Sequence, residues 1–262
     1  MKPLVEIHDT DGVLTLRSEL LLASGFQHAF STAVGPERAV FDLSSPTASR
    51  AAVDADARSA NRMRFERLFP ASNGVITTRQ VHGADVVMAD QAPRSGDAIV
   101  AASPRQIVGV RTADCVSVLL ADPTSGIVAA VHAGWRGLVS NVIAAAVRRL
   151  NELTSQTARP IAAIGPAIGR EAFEIGPEVA SRFVDAGLRE VVFPDDPRPH
   201  ADLHLAARIR LQDSGIPASR IEGGQICTYT DLRFFSYRRS GMHAGSHLAA
   251  IRAGSSFEVM RG

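Results

Sequence analysis

Apolar and polar positions along this chain alternate between two periods. Apolar runs bounded by Gly, Pro, Asp or Ser predict strands at 13–16, 29–31, 75–81, 84–89, 98–102, 106–110, 116–121, 126–131, 161–164, 224–228 and 234–238. Helical spacing predicts helices at 51–69 (ended by Pro70), 138–150, 177–186 with Pro177 in its first turn, and 202–214 closed by Gly215. Strands outnumber helices but alternate with them, and several are joined as hairpins. This is the pattern of an α/β (α+β) layered sandwich, with mixed β-sheets flanked by helices. No repeat, linker or low-complexity tract divides the chain, so residues 1–262 are expected to form a single domain.

The middle of the chain makes a geometric claim. Asp122-Pro123-Thr124-Ser125 reads as the loop of a hairpin, which pairs Ala121 with Gly126. Followed back, that register sets Cys115 directly opposite His132, with Cβ atoms about 4.5–5.5 Å apart on one face. A slip of one residue would send them to opposite faces. His82, placed before Gly83 at the end of another apolar run, can join them from outside the hairpin. Two histidines and a cysteine displayed in this way suggest a zinc site with an open coordination position. The same Cys115–His132 pair would also serve, without metal, as a thiolate and imidazolium for amide or acyl chemistry.

Other residues with chemical potential surround these three. Asp114 and Asp97 are candidates for proton handling. Arg136, in the glycine-rich strand-to-helix loop His132-Ala133-Gly134-Trp135-Arg136-Gly137, is a candidate anion ligand, and Arg238 is another. His200/His204 and His243/His247 are spaced i, i+4, but neither pair carries the glutamate of a metalloprotease motif.

Composition narrows the field. The formal net charge is +1, which leaves no electrostatic footprint for nucleic acid or an anionic membrane. The first 22 residues mix acidic and basic side chains with apolar ones, unlike a signal peptide, and no apolar run is long enough to span a bilayer. Only two cysteines occur, Cys115 and Cys227, which fits a reducing compartment. A cytoplasmic protein is expected. The oligomeric state is not encoded in these patterns.

Three segments together, Gln80-Val81-His82-Gly83, Thr112-Ala113-Asp114-Cys115 and Val131-His132-Ala133-Gly134-Trp135-Arg136-Gly137, resemble the hallmark motifs of the YfiH-like, or laccase-domain, family. Supporting matches include His28-Ala29-Phe30-Ser31-Thr32, Asn61-Arg62, Gly96-Asp97-Ala98 and Phe235-Ser236-Tyr237-Arg238-Arg239, so the resemblance spans about residues 26–239. It implies a YfiH-like fold and a zinc held by His82, Cys115 and His132, with copper as an ion taken up in vitro. Members are known as polyphenol oxidases and as purine nucleoside phosphorylases. The resemblance therefore implies a transferase converting adenosine, inosine or guanosine and phosphate to base and ribose 1-phosphate. Adenosine deaminase (hydrolase) and methylthioadenosine phosphorylase side activities come with it. Catalysis then falls to Cys115, His132 and Asp114, and substrate or phosphate binding to Arg136, Arg62, Arg238, Asp97 and His28. The family's arginine after Phe-Ser-Thr is Ala33 here, and its Gly-Pro-Cys-Ile-Gly is Gly165-Pro166-Ala167-Ile168-Gly169. The alternatives are a metal-free Cys–His hydrolase or amidase, an editing enzyme for peptidoglycan precursors, a partner protein retaining an old site, and a copper oxidase. Eight histidines without a His-x-His pair speak against the last.

Overall fold

The computed structural model describes all residues except 1, 10, 46, 49–50, 71–72, 195–196 and 255–262. Two six-stranded mixed sheets lie face to face. The first runs, in spatial order, Val5–His8, Leu14–Arg17, His28–Ser31, His247–Arg252, Ile107–Thr112 and Val75–Thr77. The second runs Ile221–Gly223, Ile161–Ile164, Val116–Ala121, Val128–Ala133, Ala98–Ala101 and Val86–Met88. Phe30, Val108, Val110 and Ile251 of the first sheet share a buried cluster with Ile99, Leu119, Ala130 and Ala163 of the second. The alternate residues of the second sheet, among them Val116, Val118 and Val131, pack under the helices Val142–Leu153 and Leu203–Asp213. Those of the first sheet, Ile107 and Leu248 among them, pack against Phe65 and Phe69 at and after the helix Ala55–Glu66. The layers are helix, sheet, sheet, helix. Both faces of each sheet are covered, which is why its strands read as continuous apolar runs rather than as alternating ones.

The segments 75–81 and 84–89 become Val75–Thr77 and Val86–Met88, which lie at the edges of different sheets. The chain between them, with His82, therefore crosses from one sheet to the other. The expected helix 138–150 is two helices, Trp135–Val139 and Val142–Leu153, broken where Asn141 takes a left-handed conformation and caps the second through Ala144 N–H. The expected strand 234–238 is instead a turn leading into the short helix Tyr237–Ser240, capped by Ser236. Strand His247–Arg252 goes unforeseen although it is central in its sheet; its Leu-Ala-Ala-Ile run is the signal, hidden behind the histidine spacing.

The hairpin register is also corrected. Ala121 pairs with Val128 and Ser117 with His132. Asp122 N–H donates to the Ile127 carbonyl, so the loop is Pro123 to Gly126. Gly126 belongs to the turn because its φ is +76°, and a Cβ there would collide with the Gly254 carbonyl. The shift moves Cys115 two residues along from His132 and keeps both on the inter-sheet face. They are diagonal rather than opposed neighbours, still within reach of one another.

His28 is buried in this frame. Its Nδ1 faces the Phe26 carbonyl at 2.9 Å and its Nε2 accepts the Ser18 N–H at 2.7 Å, which fixes the neutral tautomer. Burial depresses its pKa to about 4, with Phe26 opposing and Arg17 adding to the effect. Burial brings His204 and His247 to about 4 as well. The unfolded chain binds these protons near pH 6.5 and the folded one does not, so their stabilising contribution is complete above pH 6.5 and declines toward pH 4. A separation of one pH unit corresponds to about 1.4 kcal/mol. The melting temperature should therefore fall between pH 7 and pH 5, and His28→Asn should flatten that slope. A midpoint unchanged over this range would contradict the assignment.

Candidate metal centre

The inter-sheet layer opens at one end into a cleft of about 1020 Å³, and His82, Cys115 and His132 stand together in its wall. Their ligand atoms all lie within 4.8 Å of one another. The rings of His82 and His132 meet edge to face, 4.8 Å between centroids at 82°. Gly134 makes the convergence possible, because a Cβ there would press on Cys115 Sγ and His82 Cδ2.

One carboxylate orients two of the three residues. Asp97 is fully buried, and its oxygens accept N–H groups from Val81 (3.2 Å), His82 (2.9 Å) and Gly83 (2.7 Å). The fourth donor is His132 Nδ1, at 2.8 Å from Oδ1. Its main-chain carbonyl also accepts His132 N–H, at 2.7 Å. Burial alone would raise the Asp97 pKa; the His132 and backbone hydrogen bonds outweigh it and hold the carboxyl below its ordinary value. With Nδ1 turned to Asp97, His132 presents Nε2 for ligation, an arrangement typical of metal-bound histidine. Gln80 adds a second brace, its side chain accepting Arg111 N–H at 2.8 Å and donating to the Arg111 carbonyl at 2.7 Å.

Two non-glycine residues here hold positive φ, His82 at 62° and Asp114 at 88°. Each conformation costs on the order of 1–3 kcal/mol and persists only where its surroundings enforce it. Asp97 does so for His82. Asp114 is held by Thr228 Oγ1 (2.6 Å), Ser236 Oγ (3.0 Å) and Arg238 N–H (2.7 Å) on its carboxylate, and by Ile168 N–H (2.9 Å) on its carbonyl. The chain thereby turns just before Cys115.

Burial pushes the Cys115 thiol up, but His132 and His82 outweigh it and bring it down to about 6. Burial likewise pushes His132 down, while Cys115 and Asp97 carry it up to about 9. A thiolate is therefore favoured at neutral pH, the form that both a metal and an electrophile require. One thiolate and two imidazole nitrogens, oriented by an outer carboxylate and open toward a cleft, fit a borderline-soft divalent ion with a free position. The donors do not by themselves select zinc over copper.

Several expected site residues stand elsewhere or do other work. His28 is saturated by backbone partners and does not line the cleft. Arg136 is exposed, its guanidinium 4.4 Å over the Trp135 ring, and is also absent from the cleft wall. Asp97 has its acceptor capacity filled, so it positions ligands rather than touching substrate or relaying protons. Asp114 lines the cleft, but three donors occupy its carboxylate, which makes it an anchor rather than a proton shuttle. Arg62 and Arg238 do line the cleft. Arg238 donates to the Ala172 and Glu174 carbonyls and lies 5.4 Å over Phe173. Arg111 also lines it and escaped the sequence reading; the signal was an arginine inside an otherwise apolar strand. His204 and His247 are buried apart from the triad.

Residues 35–253 match the model of the family described as multi-copper polyphenol oxidoreductase laccase. The chain belongs to this family. A purine nucleoside phosphorylase of Deinococcus radiodurans is 39% identical over 183 residues, 69% of this chain and 71% of the relative. Adenosine deaminase RL5, from an unknown prokaryotic organism, is 34% identical over 194 residues, 68% of this chain and 74% of the relative. The crystal structure of YlmD from Geobacillus stearothermophilus matches with a TM-score of 0.78 at 25% identity, covering 97% of this chain and 100% of that one.

Asp97→Asn leaves one acceptor oxygen where two served four donors. Metal affinity of the variant, measured by chelator competition, should fall about 10–100-fold, with a lower melting temperature. Wild-type affinity and stability in the variant would remove Asp97 from its positioning role.

Proposed function

We propose that this chain is a metal-dependent purine nucleoside phosphorylase that transfers the ribosyl group of adenosine, inosine or guanosine to phosphate. The observation that carries the reading is the His82–Cys115–His132 donor set open to a cleft of about 1020 Å³, large enough for a nucleoside and an anion together. The names of the relatives in Deinococcus radiodurans and of RL5 support purine nucleosides as the substrate class. Zinc is the ion we assign, since group transfer to phosphate needs no redox change and one thiolate with two imidazoles accommodates it. When bound, it would supply Lewis-acid polarisation of an oxygen at the open position.

The residues of the chain divide the remaining work. Phe173, Tyr237 and Met242 supply apolar surface suited to a purine ring, whereas Arg62, Arg79, Arg111 and Arg238 supply positive charge to the same cleft wall. The apolar surface would take the nucleoside and the guanidinium groups the phosphate, with the triad in the same wall. Asp97 keeps His132 in one tautomer, so that no reorientation is needed as charge develops.

A second reading rests on the depressed Cys115 thiol and the raised His132, a thiolate–imidazolium pair competent for hydrolysis without metal. The two readings separate in one experiment. Protein purified without chelators should hold about one zinc per chain, and release base from inosine only when phosphate is present. Cys115→Ala should lose both properties. Base release that proceeds without phosphate would sink the phosphorylase assignment, and full activity in metal-free protein would favour the hydrolase.

A further inference from the structure

Arg111 occupies an unusual position for a guanidinium. It is half-buried at the end of the strand Ile107–Thr112, on the face turned toward the helix Ala55–Glu66. Its Nε donates to the Leu43 carbonyl at 2.9 Å and its Nη1 to Thr77 Oγ1 at 3.1 Å. Both partners are neutral, and among the described residues Nη2 makes no hydrogen bond. Arg62 stands near enough to repel it: burial first, then Arg62, lower the Arg111 pKa to about 10. The nearest acid, Glu66, is already engaged by Arg62 Nε at 2.9 Å and Val75 N–H at 3.0 Å. Arg62 is itself half-buried, and its other hydrogen bond goes to the Val75 carbonyl at 2.5 Å.

Two neighbouring, partly desolvated guanidinium groups thus face one cleft, and the one carboxylate near both, Glu66, is hydrogen-bonded through Oε1 to Arg62 and Val75 and only partly offsets the charge of Arg111. Such charges are costly unless paired. The cleft wall as a whole does not pair them. Its described acidic residue is Asp114, whose oxygens serve Thr228, Ser236 and Arg238. Thr77 accepts from Arg111, which leaves its own O–H free to donate into the cleft. A tetrahedral dianion here would meet planar donor forks from two arginines and one hydroxyl, the geometry arginine suits better than lysine.

We propose that Arg111 and Arg62, with the Thr77 hydroxyl, form an oxyanion subsite in the cleft that takes a phosphate group, either free or carried by the substrate. Where the anion is free phosphate, the subsite rests on the phosphorylase reading and deepens it. Its test reads binding rather than turnover, so the two can fail separately.

The test is titration calorimetry of the as-purified protein with inorganic phosphate and, separately, with adenosine 5′-monophosphate. Adenosine serves as the control without a phosphoryl group. Arg111→Gln should weaken binding of the anion about tenfold or more, and Arg111→Lys should recover part of the loss. Adenosine binding should be unchanged, and a thermal melt should show each variant folded. If inorganic phosphate shows this pattern, the subsite takes free phosphate. If only adenosine 5′-monophosphate shows it, the subsite takes a phosphoryl group of the substrate. Should Arg111→Gln not fold, Arg62→Gln carries the same comparison. Equal affinities of wild type and a folded variant for both anions would overturn the proposal, as would no binding of either anion by the wild type.

Discussion

The carboxylate of Asp97 is the constraint on which the rest of the centre depends. It is buried beyond the reach of water, so its charge must be met inside the protein. Four N–H donors meet it, three from the backbone of Val81, His82 and Gly83 and one from the His132 ring. The loop carrying His82 crosses from one sheet to the other, whereas His132 sits within a central strand of the second sheet. Satisfying one anion therefore registers a loop against a strand and brings two imidazoles to a common point. It also fixes Nε2 as the nitrogen that His132 leaves for the cleft. The positive φ of His82 follows from the same demand, because three successive backbone N–H groups must turn toward one carboxyl group.

Around that centre the double-sheet architecture separates rigidity from chemistry. Four layers bury most strands on both faces, and an apolar cluster joins residues of both sheets, with polar residues such as Ser117 and His132 buried toward one end of it. The cleft forms where this packing ends. There, residues from both sheets, the loop 80–83 and the helix Tyr237–Ser240 contribute to a single wall. The wall mixes aromatic and sulfur side chains with guanidinium groups, Arg238 lying 5.4 Å over the Phe173 ring among them.

Much of this was legible in the sequence because it depends on local patterns. Apolar runs locate most strands, and the three candidate ligands stand out as His or Cys beside glycine or at strand ends. What escaped depends on contacts distant in the chain. The hairpin register differs by two residues because Gly126 belongs to the turn, donating to the Asp122 carbonyl, while its own carbonyl accepts the N–H of Gly254, over a hundred residues away. Asp97 could be recognised as significant but not as buried, since its partners lie at 81–83 and 132. His28 carried a motif match yet serves the core, where its two ring nitrogens close a turn and cap a helix start. Arg111 is hidden in an apolar strand, and only the neighbouring helix shows that it stands beside Arg62 with neutral hydrogen-bond partners and Glu66 as a partial counter-charge. Strand His247–Arg252 is not foreseen because its apolar run is only Leu-Ala-Ala-Ile, short and half alanine, and its place in the sheet depends on pairing with His28–Ser31 and Ile107–Thr112 far away in the chain.

The central claim is that His82, Cys115 and His132 hold one metal ion as a set, oriented by Asp97. X-ray absorption at the zinc edge of the zinc-loaded protein tests it most directly. One sulfur scatterer at about 2.3 Å and two imidazole nitrogens at about 2.0–2.1 Å are expected, with one further light atom completing four-coordination. A zinc shell containing only nitrogen and oxygen, or the same shell in Cys115→Ala as in wild type, would contradict it.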